Sequence, residues 1–211
     1  ALDNCLYGDY KFLYLSPERL ASPLFQACLP SLPVSLIVVD ECHCISQWGY
    51  DFRPSYLKIA EIRRYYPAVP LLALTATATP EVVEDVMARL SFREPHVISS
   101  SFARDNLQYI VRPTTDKATE LLHILTSTEG SAIVYCRNRK KTQELAKMIQ
   151  EAGVSAHYYH AGLTHAEREI KQNAWMAGDV RVMVCTNAFG MGIDKPDVRL
   201  VVHWSMPVAL E

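Results

Sequence analysis

Two carboxylates, Asp40 and Glu41, stand side by side directly after the apolar run Leu36, Ile37, Val38 and Val39. Such a run, rich in β-branched residues, reads as a buried strand. A strand that delivers paired acids at its carboxyl end is how open α/β sheets place their chemistry. A solvated turn would be the plainer reading of a lone Asp-Glu pair, but here Cys42 and His43 follow at once. Next comes a loop in which Trp48, Tyr50 and Phe52 crowd beside one cation, Arg53. Flat rings suit stacking on single-stranded bases and a guanidinium suits a phosphate; burial beneath the loop is the alternative for some of the rings. Further on, Thr75, Thr77 and Thr79 alternate with alanine, residues 137–141 form the densest basic patch, and Gly190 and Gly192 bracket a turn. Glycine there lets backbone approach a ligand, as phosphate-binding loops require.

The elements that must position these groups alternate strand and helix. Residues 10–15 alternate and read as a strand, and Ser16 with Pro17 opens a helix as cap and first residue. Residues 36–40 and 71–75 read as strands, with helices expected from Pro54 to about Tyr66 and from Pro80 to about Leu90, the latter capped by Thr79. A short strand is expected over 96–99. After a polar stretch the alternation restarts: a helix over 117–125, a strand over 132–136, and a long helix from about Lys140 that stops at Gly153. A strand over 156–159 precedes a helix opened by Thr164 and Glu167 at capping-box spacing, and strands follow over 180–185 and 200–204. Strands alternating with helices predict parallel α/β sheets.

Composition narrows the function classes. Of 211 residues, 49% are apolar and 21% charged, which suits a well-cored globule rather than a disordered chain. The net charge of −2 supplies no global basic field, so any nucleic-acid contact must be local. No apolar run approaches a membrane span. The six cysteines include no CxxC pair, and Cys42 and Cys44 about His43 match no zinc spacing, so reduced thiols are the expectation.

Asp40-Glu41-Cys42-His43 resembles the Walker B box, motif II, of superfamily-two helicases, whose form is Asp-Glu-x-His. The extension Cys44-Ile45-Ser46-Gln47-Trp48-Gly49-Tyr50-Asp51-Phe52-Arg53-Pro54 resembles the aromatic-rich loop of RecQ-family DNA helicases. Thr75-Ala76-Thr77 resembles motif III, Ser16–Arg19 motif Ib, the string from Ile133 to Arg139 motif IV, and the string from Val184 to Pro196 motif V. The resemblance covers essentially the whole chain, in the right order. It implies two RecA-like parallel-sheet α/β domains of the P-loop NTPase type, the first truncated at its N-terminus and the second at its C-terminus. Residues 1–100 and 117–211 would form them, joined by a crossing segment at 101–116.

The activity implied is that of an ATP-dependent 3′-5′ DNA helicase of repair and recombination. ATP and Mg2+ are its cofactors, single-stranded and duplex DNA its partners, and its location is cytoplasmic, at a bacterial nucleoid. By the same resemblance Asp40 holds Mg2+, Glu41 is the general base, and Gly192 and Asp194 face the nucleotide. Two acids make chemical sense, because one cannot readily hold the metal and also activate water. His43 would join the nucleotide site to motif III by hydrogen bonding, and Gln47 sits at the junction between the DNA-sensing loop and hydrolysis. DNA contacts would fall to Ser16, Arg19, Trp48, Phe52, Arg53, Thr75, Thr77, Arg137, His160 and Thr186.

No GxxxxGK[ST] phosphate loop occurs in these residues, and no motif VI arginine finger is present. Because positioning and charge neutralisation supply nearly all the catalysis of phosphoryl transfer, the expectation is negligible ATP hydrolysis by the 211 residues alone. A first domain without its phosphate-loop strand is expected to expose apolar sheet edges, and to be either unstable alone or completed by self-association or rearrangement. Two rivals stand beside this reading: a non-hydrolysing nucleic-acid scaffold, which has less need of Asp40-Glu41, and another superfamily-two enzyme such as an RNA helicase, against which the 46–54 loop argues.

Overall fold

The computed structural model describes residues 2–8, 10–47, 51–190 and 192–206. The chain divides into two compact units, residues 1–103 and 104–210.

In the first unit, helices α1 (Leu2–Tyr7) and α2 (Pro23–Cys28) precede strand β1 (Ile37–Val39), which runs parallel to β2 (Leu71–Ala73) in register Ile37↔Leu71 to Val39↔Ala73. Side chains alternate across a strand, so Ile37 and Val39 turn inward while Val38 is 51% exposed. The inward face packs with Phe25, Leu29, Ile45, with Val82 and Val86 of helix α3 (Pro80–Arg89), and with Leu90 just after it. Thr79 caps α3 by accepting the Val82 N–H. The outward face leaves Val38 and Leu72 exposed.

Several sequence expectations are corrected here. Residues 10–15 form no strand; Phe12 and Tyr14 stack at 6.4 Å and are 78% and 90% exposed. Residues 96–99 also form no strand. Pro17–Ala21 and Pro54–Arg64 are 3-10 helices, not α-helices. Ser16 occupies the N-cap position, yet its side chain makes no capping bond. Its hydroxyl instead joins that of Ser55 on Glu18, whose own backbone N–H is the first cause holding that carboxyl below the usual range.

The second unit is a four-stranded parallel sheet in the order β4-β5-β3-β6, made of β3 (Ser131–Tyr135), β4 (Ala156–Tyr159), β5 (Val182–Cys185) and β6 (Val198–His203). Helices α4 (Lys117–Ser127), α5 (Arg139–Glu151) and α6 (His165–Ala177) cover it. Leu121 and Leu125 of α4 and Leu145 and Ile149 of α5 share one core with Ala132, Val134, Val182 and Val184. On the opposite face Trp175 of α6 meets Ile133, Met183 and Cys185. Every β5 residue is therefore buried, as a strand covered on both faces must be. Asp116 caps α4 through the Ala118 and Thr119 N–H groups, and Thr164 with Glu167 forms the expected capping box on α6.

Candidate nucleotide and nucleic-acid site

β1 ends at Val39, and the chain turns sharply so that both acids reach solvent. Two bonds fix the turn to β2: Leu74 N–H donates to the Val39 carbonyl at 2.8 Å, and Cys42 N–H donates to the Leu74 carbonyl at 2.9 Å. Glu41 adopts a left-handed conformation, φ 49 and ψ 42. A non-glycine residue there stores about 1–3 kcal/mol of local strain, which the flanking bonds hold in place. The Glu41 N–H donates to Asp40 Oδ1 at 2.9 Å, orienting the first carboxylate. Cys42–Ile45 then form a buried 3-10 turn. Burial, with the neighbouring Cys44, Glu41 and Asp40 adding to it, pushes the Cys42 thiol up to about 11.

His43 is 3% exposed and stands at a branch point. Its Nδ1 lies 2.9 Å from Thr75 Oγ1 and 3.3 Å from Glu41 Oε2. Thr75 Oγ1 in turn donates to the Thr77 carbonyl and accepts the Thr77 N–H, each at 3.2 Å. The structure thus lines up Glu41, His43, Thr75 and Thr77. On the other side of the ring, Nε2 lies 3.6 Å from Cys44 Sγ, which lies 3.8 Å from Asp51 Oδ2, itself ion-paired to Arg53. The Arg53 hydrogen bond holds the Asp51 carboxyl below its usual range. Arg53 N–H also donates to the Cys44 carbonyl at 2.9 Å, tying the loop base to the 3-10 turn. Arg53 is exposed and Phe52 half-buried, Gln47 is exposed in the turn after Ser46, and Trp48 and Tyr50 lie outside the described residues. Ser16 and Arg19 are both exposed.

In the second unit the carboxyl ends of β3, β4 and β5 surround an open basin of about 550 Å³. Arg137, Asn138 and Arg139 line it after β3, Ala161 after β4, and Thr186, Asn187 and Ala188 after β5. Asn138 caps α5 by accepting the Lys141 N–H at 2.8 Å, so the first turn of that helix opens beside the basin. Two guanidinium groups, a helix N-terminus and a hydroxyl form a site for an anion. A Cβ at Gly162 would meet Arg139 Nη1 at 2.7 Å, a contact the flexible guanidinium can relieve by moving. Gly190, at φ 125, is the constrained one: its backbone favours glycine, and a Cβ would stand 2.5 Å from the Tyr135 hydroxyl, which donates to the Phe189 carbonyl.

Arg137 and Thr186 meet at the basin as the sequence suggested. His160 is 5% exposed, ring-stacked on Tyr158 at 5.7 Å, and its Nδ1 has no hydrogen-bond partner among the described residues. Gly192, at φ 71, and Asp194 are exposed in the turn beyond β5. Sequence reasoning passed over Asn138 and Arg139 as individual contributors; an Asn at the start of a helix following a strand was the available signal. It also missed Asp51 as the partner of Cys44 and Arg53.

Two family models match in succession: DEAD/DEAH box helicase over residues 2–86 and helicase conserved C-terminal domain over residues 116–211. The chain is 44% identical over 206 residues to the probable ATP-dependent DNA helicase RecS of Bacillus subtilis, covering 96% of this chain and 42% of the relative. It is 40% identical to the ATP-dependent DNA helicase RecQ of Pasteurella multocida (99% of this chain, 33% of the relative). It is 43% identical to the RecQ-like DNA helicase blm-1 of Caenorhabditis elegans (95% and 21%). The chain therefore spans less than half the length of these relatives. Its fold resembles that of a Saccharomyces cerevisiae Dbp5 variant bound to Gle1 and IP6, at TM-score 0.67 and 19% identity over 92% of this chain and 49% of the other. It also resembles Mycobacterium smegmatis helicase Lhr bound to single-stranded DNA and AMP-PNP, at TM-score 0.67 and 22% identity over 89% of this chain and 27% of the other. The chain thus carries a DEAD/DEAH box helicase domain followed by a helicase conserved C-terminal domain, and over nearly its whole length it is similar to RecQ-family DNA helicases.

Proposed function

We propose that this chain forms the nucleotide-hydrolysing and strand-tracking part of a 3′-5′ DNA helicase, with residues 1–100 and 117–211 as its two RecA-like domains joined through 101–116. The observation that carries the reading is the hydrogen-bonded line from Glu41 through His43 to Thr75 and Thr77, with its branch through Cys44 and Asp51 to Arg53. An acid pair on one side and a stacking loop on the other are joined by one buried imidazole.

Asp40 and Glu41 are exposed oxygen donors at a strand end, and Asp40 is oriented by the Glu41 N–H, a donor set that fits a hard cation. Mg2+ held there would neutralise phosphate charge. Glu41 takes the proton of the attacking water, and His43, against Glu41 Oε2, holds that carboxylate in place. The Thr75 hydroxyl ties the imidazole to the motif III turn, so a shift of that turn moves the base. Arg53 and Phe52 meet the DNA strand together with Trp48. Ser16 and Arg19 contact one phosphate, and the basin of Arg137 and Thr186 holds another, with His160 supporting its floor. Gly192 and Asp194 face the nucleotide. Action on the chromosome, in repair and recombination, places the protein in the cytoplasm at the nucleoid. The 211 residues alone contain no lysine-bearing phosphate loop and are expected to hydrolyse ATP negligibly.

The test compares stimulation of ATP hydrolysis in the intact protein by single-stranded DNA and by RNA of equal length. Strong stimulation by DNA and weak stimulation by RNA is expected. Equal stimulation would favour a general superfamily-two enzyme, and no hydrolysis with either would favour a scaffold.

A further inference from the structure

Beside the acid pair, a second set of donors converges. His43 Nε2, Cys44 Sγ and Asp51 Oδ2 all lie within 4.8 Å of one another, with Sγ 3.6 Å from Nε2 and 3.8 Å from Oδ2. Around a tetrahedral Zn2+ with ordinary bond lengths, such donors stand about 3.4–3.6 Å apart. The Sγ–Nε2 edge already matches, the Sγ–Oδ2 edge is 3.8 Å, and both edges to the oxygen close by moving the half-buried Asp51 carboxylate.

The Thr75 hydroxyl, which donates to the Thr77 carbonyl, and Glu41 Oε2 both stand on His43 Nδ1. The tautomer with its proton on Nδ1 serves both of them and turns the Nε2 lone pair toward Cys44 Sγ. An imidazole whose far N–H is held by a hydroxyl and a carboxylate is the arrangement that orients a metal-binding histidine. Nε2, Sγ and Oδ2 are thus three Lewis bases sharing one thiol proton, with Arg53 as the compensating cation. His43 and Cys44 are 3% and 1% exposed, while Asp51 is half-buried and gives access from solvent.

We propose that His43, Cys44 and Asp51 form a binding site for a borderline-soft divalent cation, Zn2+ by its donor set and geometry, with water as the fourth ligand. On binding, the Cys44 thiol proton passes to solvent and each of the three atoms donates an electron pair; nothing is oxidised or reduced. Thiolate and carboxylate balance the two positive charges. Arg53 is then released from Asp51, and the ion fixes the distance between the motif II turn and the aromatic-rich loop. Zinc would act as a brake on that loop, a consequence that rests on the proposed function, whereas the site itself does not.

The test titrates Co2+ alone into the reduced protein, without ATP or DNA, and reads the thiolate-to-cobalt charge-transfer band, with displacement by Zn2+. One equivalent is expected to bind to the unaltered protein and to Cys42→Ser. The band is expected to vanish in Cys44→Ser, and Asp51→Asn is expected to weaken binding roughly tenfold or more. A band that survives Cys44→Ser, or its absence from the unaltered protein, overturns the proposal. Should Cys44→Ser lose its circular dichroism spectrum, Asp51→Asn at the loop surface decides, and unaltered affinity in that variant overturns the site. Since no nucleotide or DNA is present, a failure here is distinct from a failure of the helicase reading.

Discussion

Replacing Thr75 with valine removes one oxygen and preserves the shape of the side chain. That oxygen serves three bonds: to His43 Nδ1 at 2.9 Å, and to the N–H and carbonyl of Thr77 at 3.2 Å each. The Thr77 groups are exposed and regain water, so their loss costs little. His43 is 3% exposed, and a buried donor that loses its partner costs about 1–3 kcal/mol. Glu41 Oε2, at 3.3 Å from the same nitrogen, recovers part of this. The net expectation is about 1–2 kcal/mol, or roughly a 5- to 30-fold change in any equilibrium that depends on the bond. In the intact protein, Thr75→Val should reduce DNA-stimulated ATP hydrolysis by that factor, leave DNA-independent hydrolysis nearly unaltered, and be rescued by Thr75→Ser. Steady-state assays with and without single-stranded DNA read all three. Full DNA stimulation in a folded Thr75→Val protein would refute the claim that this bond couples the two sites.

Two further expectations concern the second unit. Leu125→Ala truncates a fully buried side chain facing Leu145 and Ile149 and should cost about 2–5 kcal/mol, read as a shift of the urea midpoint without altered basin affinity. The acid limb of stability should depend on two helix caps. The Thr119 hydroxyl holds the Asp116 carboxyl below its usual range, and the Thr164 backbone N–H does the same for Glu167. A depressed folded pKa means the unfolded chain binds more protons as acid is added. This stability is complete above the unfolded carboxylate range and is lost as the pH falls through the lowered folded values. Asp116→Asn with Glu167→Gln should flatten unfolding curves between about pH 5 and pH 3, and a slope unaltered by the pair would contradict that origin.

What the sequence made legible was local or periodic. The Thr164–Glu167 box and the Thr79 cap depend on groups three residues apart, and both formed as read. The strand expected over 180–185 formed as Val182–Cys185. The alternation at 10–15 was read as a strand, but alternation carries no information about whether a neighbouring strand completes a ladder, and here none forms. The same limit applies at 96–99. Proline at the start of 54–64 correctly marked a helical onset, yet proline suits the first turn of either helix type, so it left 3-10 and α hydrogen bonding undistinguished. Within the site, adjacency revealed Asp40 and Glu41. The left-handed backbone of Glu41 and the meeting of Cys44 with Asp51 come from the bonds that pull Cys42 to Leu74 and Arg53 to Cys44, contacts between segments far apart or curled back on themselves. His160 shows the reverse case: its motif pointed to a phosphate, while the fold leaves its ring only 5% exposed.

The central claim is that Glu41 is the base of an ATP-hydrolysing site and that Asp40 and its neighbours bind independently of that role. Single-turnover cleavage of ATP by the intact protein on single-stranded DNA, with Glu41→Gln against the unaltered chain, tests it most directly. The account predicts that Mg2+-ATP and DNA still bind while the cleavage step slows by about a hundredfold or more. Cleavage at the original rate in Glu41→Gln would contradict it.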